Sequence, residues 1–372
     1  MVVKERQSNF ELLRIIIMLL IIFSHSIGHG LIFSGFAGEQ SITEQAILNQ
    51  MTIFGKVAVG IFIMVTGYFM CQSQFSFSKF WKRLLSLWLQ LIFYSAVLFA
   101  IALKFNWIDL SAKSFFDAFF PITTSAWWFA TTYVMLYFFI PYLNIWINNL
   151  TKKQYQGLVL VFVFILSIYP TLFRGYNPTD GTNISSIIMF MMFYIIGAYF
   201  RKYTYKNART ERNIALVSFV GLLILNCIQS FFLGYLTYNT GNSIYLSRSE
   251  DLGHMSSIIV IGLMVSMFLI FKNLNIKSNK IINTLALTIF GVYLLHDNSY
   301  TREKLWGDWV NVVDMYIKYD FLEFFLRICL VVGLIFIICA SIEYLRIQLF
   351  KVCSTFFRFL KRKDSLQGKN EV

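Results

Sequence analysis

Polar residues divide this chain into long apolar runs. The first, Phe10 to Phe33, holds only Glu11, Arg14, His25 and His29 as ionisable groups. A helix needs about 20 mostly apolar residues to cross the hydrocarbon layer of a bilayer, and this run is long enough. The same pattern predicts helices near 10–32, 52–72, 81–103, 126–147, 157–173, 184–200, 213–235, 253–271, 281–297 and 322–347. Breaks fall at Gln72-Ser73-Gln74, at Asn148-Asn149 and at the turn sequence Gly175-Tyr176-Asn177-Pro178. The prediction is an all-α fold, a polytopic integral membrane bundle of about ten transmembrane helices within residues 1–350. A basic cytoplasmic tail, 351–372, follows. The first run is too long for a cleaved signal peptide and has no small-residue cleavage site.

Composition agrees with the pattern. Only 14% of residues are charged and 57% are hydrophobic, against about 25% charged in soluble domains. The net charge of +13 would suit nucleic acid, but the basic residues sit in short clusters between apolar runs, such as Arg201, Lys202, Lys206, Arg209 and Arg212. That placement orients a membrane protein. It predicts a multi-pass protein of the cell (plasma) membrane with both termini in the cytoplasm, surrounded by membrane lipid, and no nucleic-acid partner. The five cysteines, Cys71, Cys227, Cys329, Cys339 and Cys353, lie in or beside apolar segments without a CxxC, which argues against a disulfide framework. The longest predicted outer loop, 298–321, carries Tyr300, Trp306 and Trp309, which could stack on sugar rings or form an interfacial aromatic belt.

Ionisable groups at membrane depth cost at least ~2.5 kcal/mol each at a helix centre, so each needs a reason. Arg14 and His25 are eleven residues apart, which puts them within ~20° of one helix face and ~16 Å apart along the axis. A permanent cation suits phosphate, and a neutral imidazole suits taking a proton from a hydroxyl. Glu11, three residues before Arg14, also offers that arginine an ion-pair partner, so packing and ligand roles both fit it. His25 and His29 have helical metal-ligand spacing. The sequence shows no HExxH and no acidic cluster nearby, so no metal site is predicted. His25, His29, His254 and His296 fall toward the outer ends of their predicted spans; Arg14, Lys82 and Arg83 fall toward the cytoplasmic ends. Lys56 and Arg327 are further charges near outer ends, and Glu323 is placed to pair with Arg327.

These residues resemble the membrane-bound acyltransferase family 3, whose members O-acylate polysaccharides, peptidoglycan, lipid-linked sugars and some small molecules. The resemblance rests first on Arg14-Ile-Ile-Ile-Met-Leu-Leu-Ile-Ile-Phe-Ser-His25. It continues with Val59-Gly60-Ile61-Phe62-Ile63-Met64-Val65-Thr66-Gly67-Tyr68, and with Trp127-Trp128-Phe129 leading to Tyr133 and Pro141. Phe193-Tyr194-Ile195-Ile196-Gly197 and Gly291-Val292-Tyr293-Leu294-Leu295-His296 complete it. The resemblance covers roughly residues 9–350. One stretch departs from the family pattern: the basic segment before the third span usually carries several arginines and here reads Lys82-Arg83-Leu-Leu-Ser86.

The resemblance implies a membrane-embedded O-acetyltransferase. It would move an acyl group from cytoplasmic acetyl-CoA to a hydroxyl of a cell-surface or lipid-linked glycan, such as a capsule or exopolysaccharide. Arg14, Lys82 and Arg83 would hold the CoA phosphates. His25 would be the general base, with an acyl-His25 intermediate as the other route. Trp128, Tyr133 and His296 would line the substrate cavity or assist the oxyanion. The competing class is a transporter or flippase of a polysaccharide precursor. Such folds tend to show inverted repeats and matching broken helices, and neither is visible here.

Overall fold

The computed structural model describes residues 6–32, 42–173, 183–205 and 207–367, and among them there is no strand. The predicted turn at Gly175–Pro178 lies outside these residues. In chain order the helices are α1 (Ser8–Ile27), α2 (Ile42–Met70), α3 (Phe77–Lys104), α4 (Ala112–Phe119) and α5 (Trp128–Asn149). Then come α6 (Lys152–Val163), α7 (Tyr169–Leu172), α8 (Asn183–Lys202), α9 (Ala208–Thr240) and α10 (Ile244–Leu252). The last five are α11 (Ile258–Lys272), α12 (Lys280–Leu285), α13 (Ile289–His296), α14 (Val312–Lys318) and α15 (Phe321–Gln367).

Seven segments are long and apolar enough to cross a membrane: Ser8–Ile32, Ala46–Met70, Phe77–Lys104, Trp128–Asn149, Lys152–Leu172, Ala208–Thr240 and Phe321–Thr355. The other three predicted spans fall on α8, α11 and the α12–α13 pair, so length and composition support seven of the expected ten. α8, α11 and α13 are interior elements, whereas α12 has no buried residue. Met192, Phe193, Tyr194 and Ile195 of α8 and Val260, Leu263, Met264 and Phe268 of α11 are fully buried. By contrast α9 turns Val217, Ile224, Ile228 and Phe232 outward, as a lipid-facing helix must.

α1 and α2 run antiparallel through the centre. Phe10 stacks on Tyr68 at 4.8 Å, and Ser24 Oγ donates to the Thr52 carbonyl at 2.9 Å. α11 joins them at one end, where Phe268 lies 5.8 Å from the Phe10 ring, and the turn after α10 at the other, where Lys56 Nζ donates to the Gly253 carbonyl at 2.9 Å. These contacts define a near end, where α1 begins, and a far end. At the near end Lys272 pairs with Glu211 at 2.7 Å, which ties α11 to α9.

The two glycine motifs of the sequence meet face to face. A Cβ on Gly67 would sit 2.1 Å from the Tyr194 carbonyl oxygen, and one on Gly197 would sit 2.0 Å from that of Met64. Backbone against backbone leaves no side chain to give way, so both positions need glycine, the small-residue contact expected of membrane helices. Between α3 and α15, the fully buried Glu343 takes a bidentate ion pair from Arg346 at 2.6 Å. It also takes hydrogen bonds from Gln90 at 3.0 Å and from the Tyr94 hydroxyl.

Three details differ from the sequence expectation. The segment expected as one helix over 281–297 is broken at Ala286–Thr288, where Thr288 Oγ1 donates to the Leu285 carbonyl at 2.8 Å. The same carbonyl also accepts the Thr288 backbone N–H at 2.9 Å, so it stays paired at the break, the condition for irregular backbone at this depth. The expected loop 298–321 holds a π-helical turn, Lys304–Trp309, and α14. Trp306 is fully buried there, so of its aromatic residues Trp309, not Trp306, is open at the surface. Finally, α15 continues without a break past residue 350 into the predicted tail.

Candidate active site

A cavity of about 1300 Å³ runs along α1 from Arg14 to His29. Arg14, Thr66 and Tyr133 line its near half. Trp128, Phe129 and Tyr293 line its middle, and His25, His29, Lys56 and His254 its far half. The break at Ala286–Thr288 opens on it, since Ala286 and Leu287 belong to its wall. α1 is regular helix through Ile27, so Arg14 and His25 keep the ~16 Å axial separation and shared face set by helix geometry. Beyond Ile27 the chain widens into a π-helical turn, Gly28–Ile32, that carries His29; such turns recur at functional sites. α14 locks this turn, because a Cβ on Gly30 would meet Val312 Cγ2 at 2.5 Å. The α14 hydroxyl of Tyr316 in turn donates to Glu44 at 3.1 Å, and burial followed by that carboxylate pushes its phenol up to about 12.

Three of the groups around His25 (His296, Asp297 and Arg302) come from one distant segment of the chain. His296 is fully buried, and its Nδ1 lies 2.7 Å from the Val292 carbonyl. A carbonyl only accepts, so this nitrogen carries the hydrogen. His296 Nε2 is then the accepting nitrogen of the neutral ring, and it faces His25 Nδ1 at 3.1 Å. His25 Nδ1 must therefore be the N–H donor, leaving His25 Nε2 with the lone pair. The fold thus selects one tautomer of each ring. The Asp297 carboxylate, 4% exposed, sits 3.7 Å from His25 Nδ1 and 3.7 Å from His29 Nε2. Arg302 holds it at 3.1 Å.

Ligand atoms of His25, His29 and Asp297 lie within 4.8 Å of one another, so the structure supplies the acidic third partner that the sequence did not reveal. Two of the three are already engaged. His25 Nδ1 is turned to His296, and the Asp297 oxygen facing both histidines is the one that Arg302 contacts. A cation would sit beside a guanidinium.

The residues singled out from sequence divide into three groups. Arg14, His25, Trp128 and Tyr133 line the one cavity. His296 stands behind His25 and is not part of the cavity wall. Lys82 and Arg83 are exposed near the start of α3. Arg14 keeps the ion pair with Glu11 at 3.2 Å, and Glu11 is also approached by Arg6 at 3.5 Å. Sequence reasoning missed Asp297, Arg302 and Tyr293. Asp297 was legible as the residue after His296, and Tyr293 as part of the same motif; Arg302 carried no signal in an apparent loop.

An all-helical bundle with membrane-length helices around a cavity, with His25 and His29 in its wall, defines a polytopic membrane protein with a histidine-lined chamber. The family model described as an acyltransferase domain matches residues 7–344, and the chain belongs to this acyltransferase family 3. No curated protein and no solved structure matches it.

Proposed function

We propose that this acyltransferase uses acetyl-CoA as donor and a hydroxyl of a cell-surface or lipid-linked glycan as acceptor, in the plasma membrane with its near end toward the cytoplasm. The observation that carries the reading is the Val292–His296–His25 chain, which leaves His25 Nε2 as a base in the cavity. Arg14, aided by Lys82 and Arg83 at the entrance, binds the phosphates of CoA, and the pantetheine arm follows α1 toward His25. The acceptor hydroxyl gives its proton to His25 Nε2 as its oxygen attacks the thioester carbonyl. Asp297 offsets the imidazolium charge, the role an orienting carboxylate plays behind a catalytic histidine. Collapse of the tetrahedral species breaks the C–S bond, and His25 returns the proton to the leaving thiolate. Tyr133, Trp128 and Tyr293 line the path, and the two phenols are in place to donate to the oxyanion. In this arrangement His296 fixes the base and does not touch substrate.

The test is transfer of label from radioactive acetyl-CoA to envelope glycans in membranes holding wild-type protein or His25→Ala at matched expression. Labelled glycan with wild type and none with the variant is the expected result. Full labelling by His25→Ala would make that histidine a packing residue. No label from wild type would favour transport of a polysaccharide precursor instead.

A further inference from the structure

The mechanism leaves the lysine of the cavity wall, Lys56, without a role. Lys56 lies in the middle of the α2 segment Ala46–Met70, a position where an ammonium is costly and points to a ligand or a partner. It has no ion pair within 4 Å among the described residues; its hydrogen bond is to the Gly253 carbonyl at 2.9 Å. An ammonium has three donors, so this bond anchors the side chain and leaves donors for the cavity that Lys56 lines.

Depth and surroundings specify what Lys56 faces. A Cβ on the preceding Gly55 would sit 2.4 Å from Ser24 Oγ, and Ser24 precedes His25, so the α2 backbone that carries Lys56 passes α1 at the level of the base. The wall around it is polar: Asn49, Thr52, Ser230, Ser249 and Ser256 all contribute. Behind Ser230 lies a buried amide ladder, in which Asn226 donates to Gln50 at 2.6 Å and Gln50 donates to Ser230 at 3.2 Å. This ladder fixes the hydroxyls that border the cavity. Glu250 and Asp251 also line the cavity; Glu250 is exposed and forms no ion pair with Lys56. Asp251 lies 3.9 Å from Arg248, and His254 turns its Nδ1 to Ser256 at 2.8 Å. Lys56 is therefore the fixed lysine cation of a chamber whose wall also carries hydroxyls, an amide and the carboxylates Glu250 and Asp251.

We propose that the far half of the cavity is the acceptor subsite and that Lys56 selects acceptors carrying an anionic group, a carboxylate or a phosphate, next to the hydroxyl that is acylated. This deepens the acyl-transfer reading and rests on it. The acceptor's polyhydroxyl body lies against the amide-backed wall, its anion against Lys56, and its reacting hydroxyl against His25.

The test uses the full-length protein in membranes with radioactive acetyl-CoA and needs no purified acceptor. Labelled wild-type product is passed over an anion exchanger before and after two treatments. Carbodiimide–borohydride reduction removes carboxylates, and aqueous hydrogen fluoride cleaves phosphodiesters. Retention abolished by the first treatment assigns a carboxylate, and by the second a phosphate; label in neutral material overturns the proposal. In parallel, Lys56→Met is expected to lower labelling at least tenfold, while Lys56→Arg keeps most of it. Both variants should keep wild-type thermal unfolding and the wild-type half-saturating acetyl-CoA concentration. Lys56→Met labelling at the wild-type rate would overturn the proposal. If Lys56→Met unfolds, the charge of the wild-type product decides alone. An absence of any label from wild type would instead sink the acyl-transfer reading, and the two failures are told apart by that control.

Discussion

The two ends of the cavity are built on different principles. At the far end the histidines and the carboxylate are held by neighbours: Val292 orients His296, His296 orients His25, and Arg302 holds Asp297 against both His25 and His29. The segments that deliver these groups are irregular, a π-helical turn after α1 and a short helix after a break. At the near end a regular stretch of α1 presents Arg14, whose side chain is 32% exposed and leans on Glu11, with exposed Lys82 and Arg83 outside. A proton moves only between atoms in a set geometry, so the far end needs fixed tautomers. Phosphates need positive charge more than they need geometry, so the near end works with mobile cations. The difference predicts that substitutions at the far end strike turnover and those at the near end strike donor affinity.

The largest effect follows from removing the base itself. His25→Ala is expected to lower the acyl-transfer rate ~10²–10⁴-fold, the usual contribution of a positioned general base, with the half-saturating acetyl-CoA concentration unchanged. A variant that kept its rate but lost donor affinity would reverse the assignment of the two ends. One step back, Asp297→Asn leaves the rings in place and removes the charge. Its cost should be about ten- to hundredfold in kcat, as for loss of a charge-assisted interaction of ~1.5–3 kcal/mol. Single-turnover measurements at saturating donor check this, and a loss confined to KM would break the comparison.

Arg14→Ala should instead raise the acetyl-CoA KM about tenfold, equivalent to ~1.4 kcal/mol of binding, with kcat little changed. Titrating donor in membranes separates this from a folding defect. The same experiment with a CoA analogue lacking the 3′-phosphate sharpens the result. If Arg14 contacts that phosphate, variant and wild type will bind the analogue equally.

The near end was legible in the sequence and the far end only in part. Arg14 and His25 share one uninterrupted helix, so spacing alone placed them on one face. The partners of His25 sit some 270 residues later, as the pairing of His25 with His296 shows, and no local periodicity reports a contact of that range. The break between α12 and α13 was hidden because Ala286-Leu287-Thr288 is neither glycine nor proline, and the segment reads as one apolar run. It holds because the buried Thr288 donates both its backbone N–H and its hydroxyl to the Leu285 carbonyl. Trp306 was misread for a related reason: an apparent loop folded into a helical turn with its indole inward. The meeting of Gly67 with Gly197 could not be read from either motif alone, since what makes each glycine necessary is the other helix's backbone.

A smaller effect is expected at the entrance. Lys82→Gln with Arg83→Gln should raise the acetyl-CoA KM only about two- to threefold, because exposed charges act through solvent and are screened beyond a Debye length of about 8 Å at physiological salt. The shift should disappear at about 0.5 M salt for this pair and persist for Arg14→Ala. Equal salt sensitivity of both would place Arg14 on the surface with them.

The smallest expected effect concerns the cluster of His25, His29 and Asp297, which has the spacing of a cation site yet is wired as a proton chain. A divalent ion would have to take His25 Nδ1 from His296 and the Asp297 oxygen from Arg302, and then remain next to that guanidinium. Two nitrogens and one carboxylate do resemble a metal-binding set, so the alternative is worth a direct measurement. Incubation with EDTA or 1,10-phenanthroline followed by dialysis is expected to change the transfer rate by less than about twofold, while added zinc inhibits by capturing the neutral imidazoles that the base needs. Loss of activity on chelation, with recovery on adding back one metal, would turn the far end from a base held by histidine into a Lewis-acid site. The fixed tautomer of His25 would then serve the metal and not the hydroxyl.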